Sequence, residues 1–502
     1  MNRPLKHVIA VLLGCFTILF VQLNRVQVFD AAALEVNPAN TRTIQRDFNR
    51  PRGIISTADG VVVAESEDTP GATFERQRLY PQGELYAHVV GYHSFTFGAD
   101  GVERTYNDAL VGRTASQELS GLTDLLEGRN PVGNVVLTID DDLQRLARSQ
   151  LGERQGSVVA LDPRSGAVLA MWSWPSYDPN LLAANSGTAA NEAWTELVEA
   201  DGNPLRPRAY RDVEFPGSTF KLVTAAAALE TGAATMTEPE FEVTDAYTPP
   251  LTERPLTNFG GSTCGGDLTE LIVVSCNTGF GQLAAERIGP GPMVDQAQRF
   301  GFNSAPPVDL PNAAQSIFPT DYGSLVSNPS DLIPAGVYEN TPALSQAAIG
   351  QFEVQSSPLQ MALVVAAVAN GGVVPTPHVV DRIEDSVTLN VVSDINPGSW
   401  QRALSESHAA ELAGAMVQVV ERGTAQSVAV RGVVVGAKTG TAQLGTDPPA
   451  SHAWIVAFAG RPDGPPEIAV AVLVEGQTGN PDQTGGGVAG PIARSMLEQF
   501  FQ

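Results

Sequence analysis

Residues 156–175 read GSVVALDPRSGAVLAMWSWP, and this stretch decides the fold. Two apolar, β-prone runs, 157–161 and 167–174, flank the turn formers Pro163-Arg164-Ser165-Gly166, which is the pattern of a β-hairpin. Downstream the pattern changes to helix. An Ala-rich segment at 218–229 is entered through Pro216-Gly217, and helix-like stretches follow at 267–275, 277–287, 356–369 and 406–421. Strand-like runs return at 433–437, 453–459 and 467–474, and an amphipathic helix at 489–501 closes the chain. Strands that bracket a block of helices imply one mixed domain whose sheet is assembled from both ends of the region. Consecutive hairpins favour an antiparallel sheet. The predicted class is therefore α+β. Two stretches of loop-like composition, 181–203 and 308–342, are candidates to line a cleft.

Before residue 156 the chain reads as a separate, smaller mixed module over 30–150. Residues 53–65, GIISTADGVVVAE, place two β-rich runs around Asp59-Gly60, a hairpin signal. Residues 134–151 give a short strand, Val135-Val136-Leu137, that runs into a helix with apolar Leu143, Leu146, Ala147 and Leu151. Residues 8–23, VIAVLLGCFTILFVQL, follow Arg3, Lys6 and His7 and read as a membrane anchor, extendable to 29, with residues 1–7 cytoplasmic. A cleaved signal peptide is the competing reading, with Ala31 and Ala33 as its small-residue site. An uncleaved anchor would put the remainder outside the cytoplasm.

The 502 residues are 43% hydrophobic and 17% charged, with a net charge of −25 and no Lys/Arg-rich run. Such a chain buries a large core and lacks the basic face that nucleic acid requires. Cys264 and Cys276 lie outside any zinc-ligand spacing and read as two buried thiols, or as a disulfide if the region faces an oxidising compartment. No metal-ligand cluster and no cofactor motif is read. The six histidines read as structural or solvated, and Glu103 as a domain-packing salt-bridge partner. Residues 484–488, TGGGV, read as a tight turn near the site; they lack phosphate-loop spacing and a following lysine.

Only three lysines, Lys6, Lys221 and Lys438, occur among 30 basic residues. Arginine cannot replace lysine where the amine must shed its proton or act as a compact point charge. Ser218-x-x-Lys221 at a helix start puts hydroxyl and amine on one face, so that a desolvated amine can accept the hydroxyl proton. Lys438-Thr439-Gly440 follows the apolar run Val433-Val434-Val435. A strand edge there can pair with an extended peptide; Lys438 supplies charge for a carboxylate, Thr439 a hydroxyl, and Gly440 room for close approach. Ser275-x-Asn277 falls between these two motifs, at a junction of helix-like segments. Taken singly, each has an ordinary reading: two helix caps and a surface lysine.

In this order and spacing the triple resembles the active site of the penicillin-recognising serine acyltransferases. The chain looks most like a class B penicillin-binding protein of the penicillin-binding protein A type. The likeness extends to Arg52-Gly53-Ile54-Ile55 with Asp59-Gly60, to Gly101-Val102-Glu103, to 156–175, to Phe215-Pro216-Gly217-Ser218, to Ala348-Ile349-Gly350-Gln351 and to Lys438-Thr439-Gly440-Thr441-Ala442-Gln443. Cys276 stands at the middle of the S-x-N motif, where Asp is familiar. No glycosyltransferase-like module is seen.

The resemblance implies an antiparallel sheet flanked by helices with an all-helical subdomain in a transpeptidase domain over 151–502, carried on an N-terminal pedestal over 30–150 and a transmembrane helix over 8–29. It implies that Ser218 attacks the penultimate D-alanine of a peptidoglycan stem peptide, with Lys221 as base. Ser275 relays a proton to the leaving amine beside Lys438, and Asn277 holds the substrate amide. Thr439 and Thr441, with Gly440 between them, bind the substrate carboxylate, and the N–H groups of Ser218 and Thr441 form the oxyanion hole. Implied partners are donor and acceptor stem peptides, β-lactams as covalent inhibitors, the membrane and a separate glycan polymerase; implied roles lie in cell division or cell shape. A D,D-carboxypeptidase or β-lactamase on the same site is the nearest alternative. A non-catalytic β-lactam sensor or scaffold is the more distant one.

Overall fold

The computed structural model describes residues 3–25, 48–70, 74–114, 132–447, 449–477 and 483–502. By its internal packing the chain divides into two units, Met1–Pro51 with Glu67–Gln77, and Arg52–Ser66 with Arg78–Gln502.

In the second unit, the hairpin of 156–175 forms as Gly156–Leu161 and Val168–Trp174. It occupies one side of a five-stranded antiparallel sheet. The order is Val434–Gln443, Ser451–Gly460, Ile468–Val474, Gly156–Leu161, Val168–Trp174. Strands from the two ends of the domain therefore meet through Ile468–Val474 and Gly156–Leu161, as the bracketing pattern predicts. Ser451–Gly460 and Ile468–Val474 are buried at every position, which explains their unbroken apolar runs. Helices Asp141–Leu151 and Gly490–Phe500 pack on each other and on the sheet; so do Pro358–Ala369 and Glu406–Arg422. Val434–Gln443 is an edge strand, and an edge keeps backbone groups available for a ligand.

The Asp59-Gly60 hairpin also forms, with Ile55–Ser56 antiparallel to Val62–Asp68 and Gly60 at φ +89. Ile55–Ser56 pairs in parallel with Gly133–Leu137. Val380–Asp385 and Val391–Asp394 extend this same sheet, with Val380–Asp385 antiparallel to Gly133–Leu137. Nothing in the sequence pattern signals that a segment as distant as Val380–Asp385 closes the sheet begun by Ile55–Ser56 and Gly133–Leu137. Glu103 is fully buried between two arginines. Arg52 Nε donates to one carboxylate oxygen and Arg78 Nε to the other, each at 2.6 Å. Burial alone would raise this carboxyl, but the two guanidiniums outweigh it and hold the pKa at about 2. The salt-bridge role expected of Glu103 is observed, with both partners inside the N-terminal module and not across a domain boundary.

One reading needs correction and one open alternative is decided. Residues 181–203 are not loop throughout: Gly187–Glu199 is a helix, capped by Ser186, whose hydroxyl accepts from Ala189 N. Only Ala190 of this helix is buried, so it carries little of the apolar periodicity by which helices are recognised. Of the two states left open for Cys264 and Cys276, the disulfide is the one formed.

At the N-terminus, Arg3–Asn24 is a single helix of 22 residues. Among the described residues no helix is long and apolar enough to cross a membrane. The expected extension of the anchor over 26–29 lies outside the described residues, as do Ala31 and Ala33.

Candidate active site

Ser218 sits in a tight helical turn, Gly217–Phe220, that leads directly into the helix Lys221–Thr231. Two glycines let the edge strand cross this turn. Gly217 has φ +53, and a side chain there would meet Thr441 O at 2.9 Å. A side chain at Gly440 would meet Pro216 O at 2.8 Å and Trp454 Cβ at 3.0 Å. Gly440 therefore serves the packing of strand against helix start, and it does not itself line the cleft.

The cleft has a volume of about 830 Å³. Ser218, Ser275, Asn277, Thr439 and Thr441 all line it. No charged side chain lines it among the described residues. Neither 181–203 nor 308–342 contributes to its wall.

Lys221 and Lys438 are not surface lysines. Both are completely buried beneath the cleft and meet at one hydroxyl. Lys438 Nζ lies 2.7 Å from Ser275 Oγ, and Lys221 Nζ lies 3.3 Å from the same atom. Lys221 Nζ also donates to Ser275 O and to Asn277 Oδ1, each at 2.7 Å, while Lys438 Nζ donates to Thr439 O at 3.1 Å. Phe280 closes the apolar side, with its ring 5.7 Å from Lys221 Nζ.

Burial drives the Lys221 amine well below its ordinary value of 10.5, and the neighbouring Lys438 pushes the same way. Burial lowers Lys438 to about 7. Two ammoniums against one hydroxyl in a dry pocket repel each other, and of the two amines Lys221, which both burial and Lys438 push down, is the one that gives up its proton more readily. A neutral amine has two hydrogens and one lone pair. Ser275 O and Asn277 Oδ1 are acceptors and take the two hydrogens, which leaves the lone pair to receive a proton.

The direct Lys221–Ser218 contact expected from S-x-x-K spacing is not formed. Among the described residues Ser218 Oγ makes no hydrogen bond, and the Lys221 amine is instead engaged by Ser275 O and Asn277 Oδ1. Nor does Lys438 reach the cleft surface to pair with a carboxylate, as the sequence suggested. Its amine lies behind Ser275, against the Ser275 hydroxyl.

A family model of the penicillin-binding protein transpeptidase domain matches residues 156–498, and one of the penicillin-binding protein A dimerisation domain matches 52–136. The chain belongs to the penicillin-binding protein transpeptidase family. Peptidoglycan D,D-transpeptidase PbpA of Mycolicibacterium smegmatis is 37% identical over 513 residues, spanning 99% of this chain and 98% of that protein. Its counterpart from Mycobacterium tuberculosis H37Rv is 37% identical over 519 residues, spanning 100% and 99%. Penicillin-binding protein A from M. tuberculosis, solved as a ceftriaxone acyl-enzyme complex, superposes with a TM-score of 0.80 at 36% identity, covering 91% of this chain and all of that one. The penicillin G acyl-enzyme complex gives 0.77 at 36%, covering 90% and 100%.

Within this transpeptidase fold, several residues that sequence reasoning passed over complete the site. Asn258, buried, accepts from the backbone N–H groups of both Asn277 and Thr278 at 3.0 Å and so caps the helix Asn277–Gln282 from outside. Gln346, Gln351 and Gln443 give the cleft an uncharged amide lining. Thr484, Gly485 and Gly486 of the TGGGV stretch form part of the wall, as its predicted proximity requires. Thr424 lines the cleft beside Thr439. Asn258 and Thr424 sit in segments without periodicity or a motif, so no local signal marks them.

Proposed function

We propose that this chain is a membrane-anchored peptidoglycan D,D-transpeptidase that works through an acyl-enzyme at Ser218. The observation that carries the reading is the pair of buried amines, Lys221 and Lys438, meeting at Ser275 Oγ beneath a cleft that Ser218 lines. Ser218 Oγ attacks the carbonyl of the penultimate D-alanine, and its proton passes to the neutral Lys221 amine. The N–H groups of Ser218 and Thr441 stabilise the oxyanion. Ser275, held against charged Lys438, returns a proton to the departing D-alanine amine. Asn277 has one amide hydrogen engaged by Thr257 O, which leaves the other for the substrate. Thr439 and Thr441 bind the terminal carboxylate. An amine of a second stem peptide then resolves the ester and forms the cross-link. A β-lactam acylates Ser218 by the same route and stays bound.

Among the described residues the cleft lining carries no carboxylate that could activate water, and this uncharged lining supports transfer over hydrolysis. Residues 30–150 act as the pedestal and 151–502 as the catalytic domain. Eight exposed apolar side chains between Leu12 and Leu23 support membrane attachment through segment 8–29, with the catalytic domain on the extracytoplasmic side and a separate glycan polymerase as partner in division or shape control. The disulfide fits an oxidising compartment.

The test is the mass of the protein after benzylpenicillin exposure with the modified peptide mapped, followed by turnover of a stem-peptide donor with and without an amine acceptor. Label on Ser218 and acceptor-dependent product are expected. Label that survives Ser218→Ala removes the nucleophile assignment. Dominant turnover by water alone makes the protein a carboxypeptidase instead.

A further inference from the structure

Thr439 faces the cleft, yet its hydroxyl already has a partner: Thr424 Oγ1 lies 2.7 Å from Thr439 Oγ1. Both residues line the cavity. Thr424 is exposed, but its backbone is fixed. The N–H groups of Gly423 and Ala425 on either side both donate to Val419 O at 3.1 Å, and Ala425 is fully buried. Ser427 Oγ donates to Gly486 O at 2.8 Å, tying this segment to the TGGGV wall. The Thr424 hydroxyl is thus presented from a rigid position beyond the end of the helix Glu406–Arg422.

A hydroxyl has one hydrogen and two acceptor positions. A carboxylate only accepts. If Thr439 is to serve a carboxylate, its single hydrogen must point into the cleft, and it must then be the acceptor towards Thr424. We propose that Thr424 is a positioning residue for carboxylate recognition: it donates its hydroxyl hydrogen to Thr439 Oγ1 and so turns the hydrogen of Thr439 toward the substrate. This rests on the reading in which Thr439 holds the substrate carboxylate. With no lysine or arginine among the described lining residues, hydroxyl orientation carries weight that an ion pair would otherwise take.

The experiment measures the rate constant for acylation of Ser218, by intact-protein mass, with benzylpenicillin and with its methyl ester. The native protein, Thr424→Val, Thr424→Ala, Thr424→Ser, Thr439→Val and the Thr424→Val/Thr439→Val double variant are compared. Loss of one such hydrogen bond predicts that Thr424→Val and Thr424→Ala slow the acid by about 3- to 10-fold and leave the ester unchanged. Thr424→Ser should recover the native rate. In the Thr439→Val background, Thr424→Val should add nothing, because it acts through Thr439. Equal slowing of acid and ester, or an undiminished effect of Thr424→Val without the Thr439 hydroxyl, overturns the proposal. A native protein that treats acid and ester alike removes the carboxylate reading itself, and the proposal with it.

Discussion

Ser275 is the atom-level junction of the site, and its backbone is in a conformation that side chains avoid: φ is +60. Such a residue costs on the order of 1–3 kcal/mol and persists only where its surroundings fix it. Here the constraint is visible. Cys276, the next residue, is bonded to Cys264 across 12 positions; Asn258 caps the two residues after it; Lys221 grips its carbonyl. Cys264 belongs to a short strand paired with Phe241–Thr244, so the disulfide fastens the S-x-N turn to a second element. Closing a loop of this size removes about 3 kcal/mol of chain entropy from the opened state, as an upper figure. In the Cys264→Ala/Cys276→Ala variant, hydrogen-exchange protection of the Asn277 and Thr278 amides should therefore fall by up to the order of 100-fold if they exchange by local opening. Acylation of Ser218 by benzylpenicillin should slow in parallel, since an unfixed Ser275 relaxes out of its strained φ and off Lys438. A thiol reductant should reproduce both effects in the native protein and change nothing in the variant, which separates the bond from the packing of the two side chains. Native-like protection at Asn277 and Thr278 in the reduced protein would refute the reasoning: Asn258 and the lysines would then hold the turn unaided.

The remaining predictions concern charge and packing. Acylation requires Lys221 neutral and Lys438 charged, so its rate should rise as Lys221 loses its proton and fall again through about pH 7 as Lys438 does; a rate still climbing well above 7 contradicts the assignment. Lys438 titrates near 7 when folded and near 10.5 when unfolded, so the unfolded chain binds the extra proton between them and stability should increase with pH across that window, read by denaturant midpoints. Glu103→Gln leaves Arg52 and Arg78 buried without a counter-charge and should cost about 3–5 kcal/mol, read as an early unfolding transition. In the native protein the Glu103 contribution is fully present above pH 4.5 and should be lost as pH falls toward 2. Gly440→Ala drives a methyl group into Pro216 O and Trp454 Cβ and should depress acylation by parting the edge strand from the nucleophile turn, with the melting temperature reporting the strain.

The central sheet and the residues that meet in and beneath the cleft were legible in the linear sequence. The strands Gly156–Leu161, Ser451–Gly460 and Ile468–Val474 are buried at every position, so hydrophobic continuity marks them before any contact is known, whereas the run at 433–437 has an exposed Val434 and is buried only from Val435. Lys221 and Lys438 stand out because arginine replaces lysine almost everywhere else. Other features had no local signature. Val380–Asp385 joins a sheet whose partner strand, Gly133–Leu137, lies far away in sequence, and Asn258 and Thr424 act on Asn277 and Thr439 across loops. Where the amine of Lys221 points was likewise undecided by spacing. The i, i+3 relation allows it to face Ser218, but Ser275 and Asn277, some 55 residues on, present better acceptors and take it. Residue type and periodicity follow from local chemistry and burial. Which hydrogen each amine and hydroxyl gives, and to whom, depends on neighbours that only the folded chain brings together.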